Sequence, residues 1–450
     1  MGIEDAFLQD ILAHPDDDAP RLIYADWLEE HDDPRGEFIR AQCALAQLGD
    51  DDPRRWPLEQ REREFLQEHE SEWLPLWSLD GPWTFRRGFV EEITLTPEEF
   101  LNSADRLFEQ APVRHMCLRR REGSADAPEG DTDGPIARVA RSPLLAHLTG
   151  LSLSRPLSRH NLQAFADSPH LRELTELKLS GVHLDEEVLL EWGESPHLPR
   201  LRRLDLSESH LSSRVIRAMA ETPRLADLTS LNLALTSLPL EDLRILARSS
   251  SLVNLTELNL SGNGANRHGL THVAVSVLGE GRLLRQLETL RLDANALGDP
   301  GALAMRDWPT LPRLKRLTLR HNHIHAAGIR ALAETPALSE LLSLGLFGNI
   351  SCDAGTAALA LSSRCTKLRA LNLRFNGVGD EGVRALAQST ALTDLTWLNL
   401  TANRITCKGA QALIDSPSLS HLVRLDLPRN DIGEKEQQGL RDRFGPFVYC

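Results

Sequence analysis

Leucine recurs along most of this chain in one phrase, Leu-x-x-Leu-x-Leu. The three leucines stand at 148/151/153, 174/177/179, 201/204/206, 228/231/233 and 255/258/260, then at 287/290/292, 314/317/319, 341/344/346, 368/371/373, 395/398/400 and 422/425/427. Eight of the ten intervals are 27 residues and the others 26 and 32, and a fixed period of this size marks a stacked repeat. The last two leucines are two residues apart, so on a strand they share one face. Three residues later stand Asn263, Asn295, Asn322, Asn349, Asn376, Asn403 and Asn430. A short amide has both donor and acceptor and suits a buried turn, where it satisfies backbone groups of adjacent coils; these seven form a candidate structural ladder. Six residues beyond come Gly269, Gly301, Gly328, Gly355, Gly382 and Gly409, expected to permit a tight turn into a helix. The helical segments run into Ser168-Pro169, Ser195-Pro196, Thr222-Pro223, Thr335-Pro336 or Ser416-Pro417, and proline biases the preceding residue out of the α region, so they stop there. One unit reads strand, Asn turn, helix, stop.

The stretch Leu368-Arg-Ala-Leu-Asn-Leu-Arg-Phe-Asn376-Gly-Val-Gly-Asp-Glu-Gly382 resembles the ribonuclease-inhibitor class of leucine-rich repeats, which also includes the Ran GTPase activators. The resemblance covers about residues 85–435. It implies an α/β horseshoe solenoid with parallel strands on the concave face and helices on the convex face. About thirteen coils are expected, the shorter matches Val90/Ile93/Leu95 and Val113/Met116/Leu118 beginning the stack. The early coils carry Pro156, Val182, Ser209 and Thr236 at the Asn position, so the ladder is expected to be weak there. Glu122–Gly134 reads as a surface loop from its Gly, Asp and Pro content, and extra residues around Gly279–Arg282 account for the 32-residue interval.

Ahead of the repeats the pattern is helical. Phe7, Leu8, Ile11 and Leu12 have helical spacing, and Leu22, Ile23, Trp27 and Leu28 form a second apolar face. Asp18 is placed as an N-cap with Pro20 in the first turn, and Glu37 opens a third helix. The string PDDDAPRLIYADWLEEHDDPRGEFIRAQ resembles the N-terminal repeat-companion domain of large-genome bacteria, typically found ahead of leucine-rich repeats. The organisation expected is a small all-helical head over 1–48, a helical connector and N-terminal cap over 49–88, the solenoid over 89–433 and a C-terminal cap over 434–450. Phe444, Phe447 and Tyr449 are expected to cover the last apolar edge.

Charge changes this picture in one respect. Residues 1–88 hold 22 Asp and Glu against 9 Arg and no Lys, so −13 of the net −15 lies there. An acidic head on a nearly neutral body argues against nucleic-acid binding through that head. No apolar run approaches the roughly 18 residues of a membrane span, and the acidic start is unlike a secretory signal, so a cytoplasmic protein is expected. The six cysteines are scattered without a Cys-x-x-Cys pair and read as free thiols.

Sequence chemistry is sparse. There is no phosphate-binding, nucleophile-elbow or zinc-protease motif, and no catalytic residue, cofactor or metal is expected. Asp16-Asp17-Asp18 reads as a solvated, capped helix start, and His321, His323 and His325 as an exposed triplet without a ligand. The outward strand positions are more informative. They carry Lys178, Arg203, Arg291, Arg316, Arg320, Phe347, Asn372, Arg374, Trp397, Asn399 and Arg424, and Trp, Phe and Arg together have the composition of a binding hot spot. These eleven are the candidate partner-binding residues of a monomeric protein-interaction scaffold. The alternative, resting on fold analogy, is a regulator of an enzyme such as a GTPase.

Overall fold

Three-residue strands cannot pair stably alone, so each coil must lean on its neighbours. A computed structural model describes residues 2–49, 52–74, 81–119, 134–153, 159–182, 200–264 and 270–450. The expected loop at 122–134 (Gly134 apart), together with Pro156 and Gly269, lies outside the described residues. The chain forms two compact units, Met1–Asp205 and Leu206–Cys450, and both are built as leucine-rich-repeat coils.

The first unit begins with helices α1 (Ile3–Ala13), α2 (Ala19–Glu30), α3 (Arg35–Gln47) and α4 (Arg55–Trp73). Strand β1 (Trp83–Arg86) pairs antiparallel with β2 (Phe89–Leu95), followed in parallel by β3 (His115–Leu118), β4 (Gly150–Leu153), β5 (Glu176–Lys178) and β6 (Arg203–Asp205). The hairpin at 83–95 departs from the helical connector expected over 49–88. Its partner strand explains it: β2 would otherwise be an open edge with unpaired backbone groups.

The helices pack directly onto β2. Ile11, Tyr24, Ala25, Leu28, Ile39 and Cys43 share one core with Phe89, and Phe38 stacks on Trp73 at 4.7 Å beside Phe65 and Phe85. Ile23, expected on the buried face, is 56 % exposed. Between helix and strand lies a buried ion pair, Arg21 Nη2 to Glu91 Oε1 at 2.8 Å. Arg21 also donates to the carbonyls of Arg87 and Pro15, and Arg87 shares the Glu91 carboxylate. The acidic triplet takes part too. Asp16 meets Arg114 at 2.9 Å and Asp18 faces Arg87 at 3.6 Å. Asp18 occupies the N-cap position of α2 without capping it; Asp17 Oδ1 instead accepts from Ala19 N–H. Asp16 and Asp18 are thus docking contacts, whereas the exposed Asp17 caps the helix start as expected of the triplet.

In the second unit, β7 (Ser230–Asn232), β8 (Glu257–Asn259), β9 (Thr289–Arg291), β10 (Arg316–Thr318), β11 (Ser343–Gly345), β12 (Ala370–Asn372), β13 (Trp397–Asn399), β14 (Arg424–Asp426) and β15 (Val448–Tyr449) pair in parallel. The middle leucine of each strand from β7 to β14 is in register with the next and buried. Helices such as Ala326–Glu334, Cys352–Ala360 and Asp380–Ala387 follow the strands. In the last coil Phe444 and Val448 are buried, but Tyr449 is 40 % exposed and does not cover the edge as expected.

Three sets of polar side chains run from coil to coil. In the turn, Asn322 is fully buried. Its Oδ1 accepts from the N–H of Asn295 and Leu297 in the preceding coil (3.1 and 3.2 Å), and its Nδ2 donates to the carbonyls of Leu292 and Arg320. Asn349 and Asn403 repeat this arrangement with both acceptor contacts; Asn263, Asn376 and Asn430 make most of it, and Asn295 accepts once and donates once. Thr236 joins at the early end, its hydroxyl reaching Leu233 O and Asn263 Oδ1.

At the helix starts, Asp299, Asp353 and Asp380 each hold the next coil's helix by its free N–H groups. Asp353 Oδ1 accepts from Gly379 and Gly382 at 2.6 and 3.0 Å, and Asp380 Oδ1 from Thr406 and Gly409 at 2.8 and 3.0 Å, as a carboxylate should at a helix N-terminus. A Cβ on Gly328, Gly382 or Gly409 would come within 2.5–2.7 Å of these carboxylates. The repeated glycine therefore makes room for the neighbour's cap, inside the helix, where a tight turn had been expected. At the helix ends, the hydroxyls of Ser249, Ser389 and Ser416 donate to Ala220, Ala360 and Ala387 carbonyls one coil back, at 2.5–2.7 Å.

Magnitudes decide which set matters most. A buried leucine contributes roughly 2 kcal/mol, whereas each buried backbone group left unsatisfied costs about 1–3 kcal/mol. Replacing Asn322 by Ala strips four such contacts, so Asn322→Ala should lower unfolding free energy by about 3 kcal/mol or more. The half-buried Asn430→Ala, where water can substitute, should lose about 1 kcal/mol. Urea unfolding followed by circular dichroism separates them, and equal midpoints would show the amide is dispensable. Arg21→Met should cost about 3 kcal/mol, since it leaves a buried carboxylate short of one partner, and the same unfolding assay reads this out.

Candidate functional site

Period-2 geometry decides what each strand can offer. The middle leucine points inward, so the two flanking residues point outward, and parallel in-register pairing lines them up in rows about 4.8 Å apart. In the second unit one row runs Thr289, Arg316, Ser343, Ala370, Trp397, Arg424, and the other Arg291, Thr318, Gly345, Asn372, Asn399, Asp426. Arg320, Phe347 and Arg374 follow just beyond the strands.

Two groups of the candidate residues are brought together here. Trp397 Nε1 donates to Asp426 Oδ2 at 2.7 Å, and Arg424 Nε donates to Asp426 Oδ1 at 3.1 Å. The Arg424 guanidinium also lies over the rings of Trp397 and Tyr449, 5.7 and 5.3 Å from their centres. A buried carboxylate thus fixes an aromatic and a cation in one arrangement. In the second group the Arg374 guanidinium sits 4.9 Å over the half-buried Phe347 ring, which the His321 ring meets at 4.4 Å. Arg291 and Arg320 are exposed and Arg316 is half-buried.

Asn372 and Asn399 have a local occupation. Their Oδ1 atoms accept from Arg374 N–H and Thr401 N–H, both at 3.0 Å, closing Asx turns that end the strands. Asn232 and Asn259 do the same. Phe375, 64 % exposed, was missed. Its signal is positional: it precedes the ladder Asn376 in the left-handed region, φ 55°, so its side chain cannot follow the strand alternation.

Lys178 and Arg203 belong to the first unit and converge on an anion. Glu176 lies 2.9 Å from Lys178, 3.6 Å from Arg203 and 3.7 Å from His115 Nε2. The His115 ring, then Lys178, hold the Glu176 carboxyl down at about 2 against the opposing effect of burial. His115 reaches across β4 because Gly150 is there; a Cβ would stand 2.0 Å from the ring. The glycine at this strand position is the sequence signal of the contact.

Little in the described residues suits covalent chemistry. Burial raises the thiols of Cys43 (to about 12), Cys365 and Cys450, the reverse of what a nucleophile needs. No group of three His, Cys, Asp or Glu is placed to hold a metal ion among the described residues. No helix there is long and apolar enough to cross a membrane.

A family model described as leucine-rich repeat matches residues 311–333 and 364–387. The chain contains leucine-rich repeats. Among curated proteins none matches it significantly. Among solved structures, an internalin from Listeria monocytogenes is 20 % identical, with a TM-score of 0.42, over 68 % of this chain and 75 % of its own. A structure of the yeast Rad7 and Elc1 complex gives 18 % identity and a TM-score of 0.46 over 97 % and 96 %.

The Glu176 cluster has a pH signature. A carboxyl whose pKa is depressed on folding contributes stability above its ordinary value of 4.5, and that stability is lost as pH falls towards about 2. Acid unfolding of Glu176→Gln should therefore show a shallower loss of stability across that window than the unmodified chain. Parallel curves would mean the cluster contributes nothing to folding.

Proposed function

We propose that this protein is a non-enzymatic scaffold that holds a protein partner on the outward strand face of its later repeats. The observation that carries this reading is the arrangement of Phe347 beside Arg374, and of Trp397 and Tyr449 beside Arg424, on adjacent coils, with the exposed Phe375 next to Arg374 in the chain. Aromatic and arginine side chains dominate binding energy at protein interfaces. Those held in place beforehand lose less rotamer entropy on binding, roughly 0.5–1.5 kcal/mol per side chain. A solvated strand face with no ligand to meet needs neither exposed phenyl rings nor guanidinium groups stacked upon them.

The same reading takes the chain as a bacterial, cytoplasmic, monomeric protein of the ribonuclease-inhibitor-like class. Residues 1–48 serve as a repeat-companion head, 49–88 as connector and cap, 89–433 as the solenoid and 434–450 as the closing cap. Its partner is a protein; nucleic acid and membrane play no part.

Capture from host lysate with quantitative mass spectrometry tests the proposal. Substituting Arg291, Arg320, Arg374 and Phe375 together by Ser, all exposed in the free chain, should reduce recovery of specific partners by about tenfold or more with unchanged circular dichroism. If every captured protein is recovered equally by both chains, the strand-face reading fails.

A further inference from the structure

The head keeps an apolar face outside its own core. On α2, Ile23, Asp26, Trp27 and Glu30 recur at the spacing of one helical stripe, and on α1 Ile3, Ala6, Phe7 and Asp10 do the same. The two stripes meet at Phe7 and Trp27, whose ring centres are 5.8 Å apart. Behind them Ile11, Tyr24 and Leu28 share the buried core with Phe89, so the inward side of this helix pair is already filled. Along the outer seam Ile3 is 67 % and Ile23 56 % exposed, Ala6 is exposed, and Phe7 and Trp27 are half-buried. A single exposed isoleucine needs no explanation, but four large apolar side chains on adjoining turns form a patch. The patch is held in shape. Tyr24 Oη donates to Glu4 at 3.1 Å, Gly2 N–H donates to Asp5 Oδ2 at 2.7 Å, and the His31 ring lies 4.1 Å from Trp27.

Charge frames this patch with one sign. Residues 1–48 hold twelve Asp and Glu against three Arg. Two of those arginines are turned inward: Arg21 pairs with the buried Glu91, and Arg35 lies over the Phe89 ring at 4.9 Å. The third, Arg40, bridges Asp26 and Glu29. Asp16 and Asp18 face Arg114 and Arg87 of the repeats, whereas Glu4, Asp5, Asp10 and Glu30 are exposed on or beside the two stripes. An apolar seam bordered by carboxylates is complementary to a segment that carries apolar residues with Lys or Arg beside them. A helix offers both at the three- and four-residue spacing of the seam itself, so apolar contacts and ion pairs form together. Anionic lipid and nucleic acid would meet repulsion from the same carboxylates.

We propose that the seam between α1 and α2, centred on Ile3, Phe7, Ile23 and Trp27, docks a cationic amphipathic helix of a protein partner. This is a second interaction surface, built from the acidic head of the first unit, and it does not rest on the strand-face reading. Apolar contact supplies the buried area, while the carboxylates orient the helix and exclude anionic partners.

The test uses the full chain and fluorescence anisotropy with three labelled peptides of equal length. The first is an amphipathic helix of Leu and Lys, the second has the same residues with the leucines scattered around the helix, and the third is the first with Glu for Lys. The first should bind at least about tenfold more tightly than the others, with affinity falling as salt rises. Ile3→Ser together with Ile23→Ser, both exposed, should weaken it about tenfold with unchanged circular dichroism. Glu30→Gln should weaken it about threefold, whereas Glu98→Gln, an equal change of charge at an exposed residue outside the head, should not. Vesicles of phosphatidylglycerol should not recruit the chain. No binding of the first peptide, equal binding of the scattered or acidic peptide, or full affinity in the double Ile variant would overturn the seam. So would equal losses from Glu30→Gln and Glu98→Gln, or recruitment to the vesicles. The chain with Arg291, Arg320, Arg374 and Phe375 substituted by Ser should bind the first peptide with unchanged affinity. A loss there would move the site to the strand face and remove the seam, so each of the two readings can fail alone.

Discussion

The second unit depends on satisfying the backbone of one buried turn. Its strands are three residues long and its coils reverse direction immediately after each strand, through residues in the left-handed region such as Ala294, His321 and Ala402. That geometry points N–H and C=O groups into the core, away from water, where each must find a partner. The asparagine amide of the next coil provides it. Because each amide serves the coil before it, no coil is complete without its successor, and the outward rows inherit their register from the same contacts. The bridge at Asp426 exists because adjacent strands are locked in step.

How far this was legible follows from the range of each interaction. Leucine triplets and ladder asparagines are visible in sequence because they recur at one period and answer to local geometry. Asp299, Asp353 and Asp380 recur less regularly, replaced by Ala326 and Cys407 in other coils, and their partners lie 26 and 29 residues away. The glycines they require were noticed, but for a reason internal to one coil. Asn372 and Asn399 were chosen as contact residues because they alternate with leucines; their carbonyl oxygens turn the chain two residues on. Trp397 and Arg424 were found by composition. Asp426, which joins them, was seen as one more polar position because its role depends on cross-strand neighbours that composition does not name.

The open ends of a repeat array pose a different problem, and each unit resolves its own end with different chemistry. At the start of the first unit, an antiparallel strand pairs the exposed edge and four helices cover its apolar side, pinned by a buried Arg21–Glu91 pair. A buried pair of this kind adds little net stability, because desolvation offsets most of the attraction, but it strongly disfavours any other placement of helix α2 on β2. It acts as a positioning device. At the end of the second unit, Phe444 and Val448 close the core, while Tyr449 is left outside beneath the Arg424 guanidinium. Its ring extends the aromatic surface by one coil.

The proposed recognition falls on the strand side for a physical reason. On the helix side, the side chains that cross between coils are committed: carboxylates cap helices and serine hydroxyls tie their ends. The strand side has a different economy. Its inward positions do all the packing, so outward positions vary without disturbing the core, and only the Asx turns constrain them. A residue there can be Trp, Arg or Gly without cost to the coil. When such residues are further ordered by their neighbours, as Trp397 is by Asp426 and Arg374 by Phe347, the ordering serves nothing inside the fold. Under the scaffold proposal, it lowers the entropy lost on binding a partner.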